Sequence, residues 1–327
     1  MTLADLKSSP AEIAISKFGI GTWSMAGANW KYGWGPQTEK DSKETIELAL
    51  DGDINLFDTA PSYGHGQAEK LLGETLEDKT AKVFISSKCG LRWHTPKDLV
   101  VDLDPGRIRS EVENSLSNLK RDHIDFLSLH YPGTEQENLL AWNELLKLRD
   151  EGKISQPGVS NFSVKQIAAI SSIETPSFLQ REINFLATPT STEIKFYEQN
   201  NIALHAYSPL LNGVLTNKFN KKYYKNLDSQ DWRKNFSGLL TENRLEAVEK
   251  YANKLKEASK DLGVDLQHLA INWVEQRPTV NSVLLGARNR AQLEDLIRYK
   301  DLDITTEINE LVTTFTENLK LELRALR

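Results

Sequence analysis

Residues 54–90 read INLFDTAPSYGHGQAEKLLGETLEDKTAKVFISSKCG, and the order of apolar runs in this stretch decides the fold. Two short runs rich in β-branched and aromatic residues, INLFDTA (54–60) and VFISSKCG (83–90), flank an amphipathic segment. In that segment Ala68, Leu71, Leu72 and Leu76 recur at helical spacing, with Glu and Lys between them. Strand, helix and strand in this order predict a parallel pair joined by a right-handed crossover. The same alternation continues outward. Strand patterns fall at FGIGTW (18–23), IDFLSLHY (124–131), PGVSNF (157–162), FLQREINF (178–185), IALHAYSPL (202–210) and VNSVLLGA (280–287). SKETIELALDGD and PGRIRSEVENSLSNLKR read as helices, the second opening with Pro105, a residue suited to a first turn.

Eight such strands alternating with helices predict an α/β fold, an eightfold β/α (TIM) barrel of parallel strands, and 327 residues suit one domain over 1–327. No low-complexity tract or Pro/Ser-rich linker divides the chain. Residues 212–240, after the seventh strand, are irregular, and a loop that long in a compact domain is usually functional or disordered; its aromatic and basic content favours function. A last helical pattern, from about Thr305 to Leu323, exceeds what closure needs and is expected to cover one barrel end.

Composition narrows the classes. With 39% hydrophobic and 26% charged residues the chain resembles an ordinary globular protein, and a net charge of −6 offers no basic field for nucleic acid or anionic lipid. The single cysteine, Cys89, excludes an intramolecular disulfide and suits a reducing compartment. The first residues show no uninterrupted apolar core of a secretory leader, and no apolar run approaches a bilayer span. The expectation is a soluble cytoplasmic protein with no membrane partner. The six histidines show no metal-binding spacing, so no metal is expected.

Asp58, Lys88 and His130 fall at the C-terminal ends of the second, third and fourth strands, the face on which barrel enzymes place their chemistry. Tyr63 follows in the loop after Asp58. A phenol is a poor acid near neutrality, but an adjacent ammonium stabilises phenolate, and a carboxylate can hold that ammonium charged and oriented. An imidazole nearby can hydrogen-bond a carbonyl oxygen. Singly, Asp58 also reads as a turn residue, Tyr63 as packing and His130 as a core histidine; Lys88 inside an apolar strand is harder to dismiss.

The chain resembles the aldo-keto reductase family from GIGTW to LLGARNRAQLEDL. FDTAPSYGHGQAEKLLGE, HIDFLSLHYP, GVSNFS and AYSPLLNGVLT all look like family motifs. GTWSMAGANWKYGWG and KCGLRW are most similar to the bacterial stand-alone branch. The resemblance implies a catalytic tetrad of Asp58, Tyr63, Lys88 and His130, and a nicotinamide cofactor bound across the mouth without a Rossmann fold; no G-x-G-x-x-G opens a strand–turn–helix unit here. It implies cofactor contacts from Thr22, Trp23, Ser160, Asn161, Gln180, Tyr207, Ser208, Pro209, Leu210 and Gly213. Ser160, Asn161 and Gln180 would meet the carboxamide and Tyr207 the ring, although Ser160 or Asn161 also reads as a helix cap. Gly286, Arg288, Gln292 and Asp295, with Lys218 from the long loop, would hold the adenosine end and favour NADP(H), with NAD(H) open because Asn217 and Asp295-Leu296 depart from the family pattern.

Trp23, Trp30, Trp34, Trp93 and Phe162 are expected around the mouth, with Arg92 and His94 beside Trp93; the tryptophans also read as loop anchors. Aromatic walls suit sugars and aromatic aldehydes alike. The reading favours an NADPH-dependent reductase of aldehydes or ketones, possible sugars included. Two other readings stay open: an NAD(P)-dependent aldose dehydrogenase running the tetrad in reverse, and a nicotinamide-binding regulatory subunit with vestigial turnover. Oligomeric state is not legible.

Overall fold

The computed structural model describes residues 14–28, 30–77, 83–95, 98–298 and 302–326. The expectation about a secretory leader therefore rests on positions that lie mostly outside the described residues. Along the chain run β1 (Phe18–Gly21), α1 (Glu39–Asp51), β2 (Leu56–Asp58), α2 (Gln67–Leu76), β3 (Phe84–Cys89), β4 (Leu91–Thr95), β5 (Asp98–Val101) and α3 (Pro105–Leu119). Next come β6 (Ile124–Leu129), α4 (Glu135–Asp150), β7 (Ile154–Ser160), α5 (Val164–Ile170), β8 (Phe178–Glu182), α6 (Ser191–Gln199) and β9 (Ala203–Tyr207). The long loop carries the short helices α7 (Lys221–Lys225) and α8 (Trp232–Phe236). After it stand α9 (Leu245–Asp261), α10 (Leu266–Glu275), β10 (Val280–Leu285), α11 (Arg290–Ile297) and α12 (Thr306–Ala325).

Eight parallel strands close in the order β1-β10-β9-β8-β7-β6-β3-β2, so the predicted barrel forms from the predicted eight segments. Its lower interior is filled by Leu56, Phe126, Phe178, Ala203 and Leu284. Phe126 meets Phe178 edge-on at 5.5 Å, and room for the Phe178 ring comes from Gly158, where a Cβ would lie 2.3 Å from it. A larger apolar shell joins the barrel to its helices. Helix starts follow local chemistry: Asp104 caps α3 ahead of Pro105, and Thr134, Ser163 and Thr190 form capping boxes on α4, α5 and α6.

Two departures from the sequence reading have physical causes. β4 and β5 make an antiparallel hairpin after β3 that carries no alternating pattern. β7 begins at Ile154, not Pro157: Pro157 lacks an N–H, yet its carbonyl accepts from Ser177 and it stays in register with Leu127. α12, the expected C-terminal helix, packs along α9, with Tyr251 Oη 3.1 Å from Thr316 Oγ1.

Candidate active site

The strand ends lie at one level. Gly21 is in register with Asp58, Asp58 with Ser86, Lys88 with Ser128, and Ser160 with Gln180. Asp58 and Lys88 are both buried and form an ion pair: Lys88 Nζ donates to Asp58 Oδ1 (2.9 Å) and Oδ2 (2.8 Å), and to the Thr59 carbonyl (2.9 Å). Ser86 Oγ (3.0 Å) and Gln180 Nε2 (2.7 Å) also donate to Asp58 Oδ1. Two buried charges tolerate one another only with this kind of dense hydrogen bonding.

Tyr63 is delivered by a tight loop. Gly64 and Gly66 have φ of +57° and +86°, and a Cβ on Gly64 would lie 2.4 Å from the Ala26 carbonyl oxygen. The Tyr63 ring sits 5.0 Å from Lys88 Nζ and 6.0 Å from the His130 ring. Among the described residues neither the Tyr63 hydroxyl nor the His130 side chain forms a hydrogen bond. The sequence reading expects Lys88 to lower the phenol. Instead burial first, then the charge of Asp58, pushes Tyr63 well above its ordinary value, so it keeps its proton. Burial, aided by Lys88, holds His130 well below its ordinary value and therefore neutral.

Aromatic rings wall this spot. Trp23 stacks at 6.4 Å on Tyr63, Trp30 lies 6.2 Å from it, and Trp93 meets Trp30 at 6.0 Å. Their indole N–H groups are all spent internally: Trp23 on the Tyr32 carbonyl (2.9 Å), Trp30 on Gly27 (3.0 Å) and Trp93 on Ser62 (3.1 Å). Trp34 stands one ring further out, 5.6 Å from Trp23. Phe162 does not join the wall; it is buried in the shell between barrel and helices. Arg92 is taken up by an ion pair with Asp102 on the hairpin, while His94 points from an exposed position.

Several participants escaped the sequence reading. Trp232 stacks on Trp23 at 5.2 Å, and His65 lies 4.5 Å from Trp93. The long loop is clasped to residues 33–34: Trp232 N donates to the Gly33 carbonyl (2.8 Å), and Arg233 lies 4.5 Å above the Trp34 ring. Arg233 also pairs with buried Asp231 (2.6 Å) and donates to the Asn212 carbonyl (3.1 Å). Nothing in the spacing of DWR announces partners two hundred residues upstream.

The residues on the far strands suit a nicotinamide cofactor. Ser160, Asn161 and Tyr207 form one hydrogen-bonded set: Tyr207 Oη donates to Asn161 Oδ1 (2.7 Å), and Asn161 Nδ2 donates to Ser160 Oγ (3.1 Å) and to the His130 carbonyl (3.0 Å). Neither Ser160 nor Asn161 caps a helix; Ser163 does. Ser208, Leu211, Asn212 and Gly213 all have φ between +48° and +91°, a strained run that bends the chain between Pro209 and Lys218. Thr22 is buried, its hydroxyl donating to the Asp58 carbonyl (3.0 Å). Open space borders Gly286. Arg288 is half-buried and makes no ion pair among the described residues; its guanidinium donates to Gln37 Oε1 (3.2 Å) and the Pro36 carbonyl. Gln292 braces it by accepting from Arg288 N (2.9 Å). Exposed Lys218 is likewise without an ion pair among the described residues. Arg290 is occupied by Glu294, and Asp295 faces α10, accepting from Gln267 Nε2 (3.1 Å). An amide-matching polar set, a half-buried ring and a cation with only neutral partners together fit the carboxamide, ring and phosphate of such a cofactor. Among the described residues no group of His, Cys, Asp or Glu could hold a metal ion, and no helix is long and apolar enough to cross a membrane.

A parallel β/α barrel with this cluster at its C-terminal mouth is the frame of an oxidoreductase acting on carbonyl and alcohol groups. The chain belongs to the aldo/keto reductase family, whose model matches residues 17–316, and that family uses nicotinamide cofactors. It is 32% identical over 310 residues to aldo-keto reductase YhdN of Bacillus subtilis, covering 94% of this chain and 91% of the relative. It is 28% identical to a probable voltage-gated potassium channel subunit beta of Arabidopsis thaliana, covering 89% of each. With the NADH-specific methylglyoxal reductase of Escherichia coli it shares 25% identity, covering 94% and 97%. The structure of glycerol dehydrogenase AKR11B4 from Gluconobacter oxydans superposes with a TM-score of 0.81 at 28% identity, covering 93% and 92%.

Proposed function

We propose that the protein reduces an aldehyde or ketone, sugar aldehydes included, to the alcohol with NADPH. The observation carrying this reading is the buried Lys88–Asp58 pair set 5.0 Å beneath the Tyr63 ring with His130 alongside. When bound, the nicotinamide supplies a hydride to the carbonyl carbon. Tyr63 keeps its proton until the carbonyl oxygen becomes basic, then gives it up from Oη. Lys88 stabilises the phenolate left behind, and Asp58 fixes Lys88 through both carboxylate oxygens. Neutral His130 donates an N–H to the same oxygen and orients it. Ser160, Asn161 and Tyr207 hold the carboxamide and ring, with Gln180 tying them to Asp58. Trp23, Trp30 and Trp93 exclude water. Arg288, whose guanidinium has only neutral partners among the described residues, favours with Lys218 the 2′-phosphate of NADPH, although one relative is NADH-specific. The same reading takes the chain as one domain in a reducing cytoplasm, which its single thiol suits.

Replacing Tyr63 with Phe is expected to lower kcat by about a factor of 10² to 10⁴ while NADPH still quenches tryptophan fluorescence. Full turnover by Y63F would sink the assignment. Titrating NADPH and NADH against wild type and R288A decides the cofactor: the reading expects R288A to weaken NADPH alone. Alcohol oxidation is the second reading, favoured by the glycerol dehydrogenase likeness. It needs Tyr63 as phenolate, so its rate should climb steeply with pH. The regulatory-subunit reading expects negligible turnover on every carbonyl tested.

A further inference from the structure

The strand that carries Lys88 does not lead straight into its helix. The β4–β5 hairpin intervenes, and among the described residues its two strands pair only with each other. A half-exposed, two-stranded hairpin has little stability of its own. Its base is nevertheless fixed to β3 and α3. Gly90 N donates to Glu111 Oε2 (2.7 Å), and the Gly90 carbonyl accepts from Asp102 N (3.1 Å). Asp102 in turn pairs with Arg92. What this base presents to the barrel mouth is Trp93, five residues after Lys88.

Trp93 holds the loop of Tyr63 on both sides of the phenol. Its Nε1 donates to the carbonyl of Ser62, the residue before Tyr63 (3.1 Å), and its ring lies 4.5 Å from the ring of His65, two residues after it. Gly64, His65 and Gly66 are left-handed in succession, and His65, with φ +57°, carries a side chain that disfavours this geometry. A loop bent in this way keeps its shape only where its surroundings hold it. Its near end is tied to Lys88, whose Nζ donates to the Thr59 carbonyl (2.9 Å). Its far end is tied to Trp93. The Tyr63 hydroxyl forms no hydrogen bond among the described residues, so backbone and ring neighbours alone set its direction. We propose that Trp93 and His65 are positioning residues for Tyr63, and that the β4–β5 hairpin is a brace fixing the phenol relative to Lys88. The proposal rests on the proton-donor role given to Tyr63 above, and adds to the part of Trp93 as a wall.

The test is a double-mutant cycle of W93F and Y63F, with kcat and KM measured for propanal and for 4-nitrobenzaldehyde with NADPH. W93F keeps an aromatic ring and loses the N–H. With Tyr63 in place it is expected to lower kcat about tenfold for both aldehydes, with each KM unchanged. On the Y63F background the same change should leave the residual kcat as it is, because the group that Trp93 places is gone. An equal loss on both backgrounds, or a rise in KM alone that grows with aldehyde size, would mean that Trp93 serves only as a wall and overturns the proposal. Wild-type turnover by Y63F defeats the donor assignment itself, whatever W93F does. His65 gives a second reading that leaves the indole in place, and it decides alone if W93F does not fold. H65A should lower kcat about threefold with Tyr63 present and not at all in Y63F, and H65F should restore it. Unchanged kcat in H65A, or a loss that H65F does not restore, overturns the proposal.

Discussion

His205 lies inside the barrel between aromatic rings, 4.8 Å from Phe178 and 5.3 Å from Phe126, with Nδ1 unpartnered. Burial, then the Lys88 charge, lowers it from 6.5 to about 4. The folded protein therefore keeps it neutral where the unfolded chain takes a proton. Stability present above pH 6.5 is lost as pH falls toward 4, by on the order of 3 kcal/mol. H205F should remove this loss, so thermal melts at pH 4.5 should favour the variant by several degrees more than melts at pH 7.5. Glu111 has the opposite sign. Burial raises it from 4.5 to about 7, so its contribution is full below 4.5 and is lost as pH rises through 7. E111Q should accordingly gain melting temperature over wild type at pH 8 and gain little at pH 4.5. At this scale the juxtaposition of Asp58, Lys88 and His130 was legible because each sits at or just beyond the end of a barrel strand. The sequence was opaque where meaning comes from a partner on another element. The raised Tyr63 depends on enclosure by Trp23 and Trp30 that no local pattern records.

Elements were legible to the extent that their burial is one-sided or complete. The barrel strands are almost wholly buried, because parallel strands are covered on both faces, and most carry enough β-branched and aromatic residues to be read as short runs. The β4–β5 hairpin was missed because it is half-exposed throughout and is held by Arg92–Asp102 and by Trp93 on Ser62, not by an apolar period. The interlock of β7 with β8 gives a direct test. A methyl group on Gly158 would strike the Phe178 ring, so G158A should cost about 1–3 kcal/mol in a denaturant melt. G158A combined with F178L should recover part of that loss, and strict additivity of the two single changes would mean that the ring is not the obstacle.

Across the whole molecule, the two ends of the barrel sequence meet at one seam. β1 pairs with β10, Gln37 bonds to Arg288, and the clasp of Trp34 with Asp231 and Arg233 ties the early loop to the late one. R233A leaves a buried carboxylate without its cation, a loss of about 3–5 kcal/mol where such a pair is broken. The loop over 212–240 should become the first site cut in limited proteolysis of R233A, and D231N/R233M should be cut more slowly than R233A. The walls at the mouth carry a consequence for substrate breadth. With the N–H groups of Trp23, Trp30 and Trp93 already given to backbone carbonyls, these surfaces offer only ring faces and edges to a guest. Apolar surfaces discriminate weakly, roughly 10- to 200-fold per methylene, whereas a site with committed donors can reject a wrong partner by about 10⁴ or more. On the proposed reading, in which these rings line the substrate site, kcat/KM across a homologous series of aldehydes should grade smoothly with size, with no single compound standing apart.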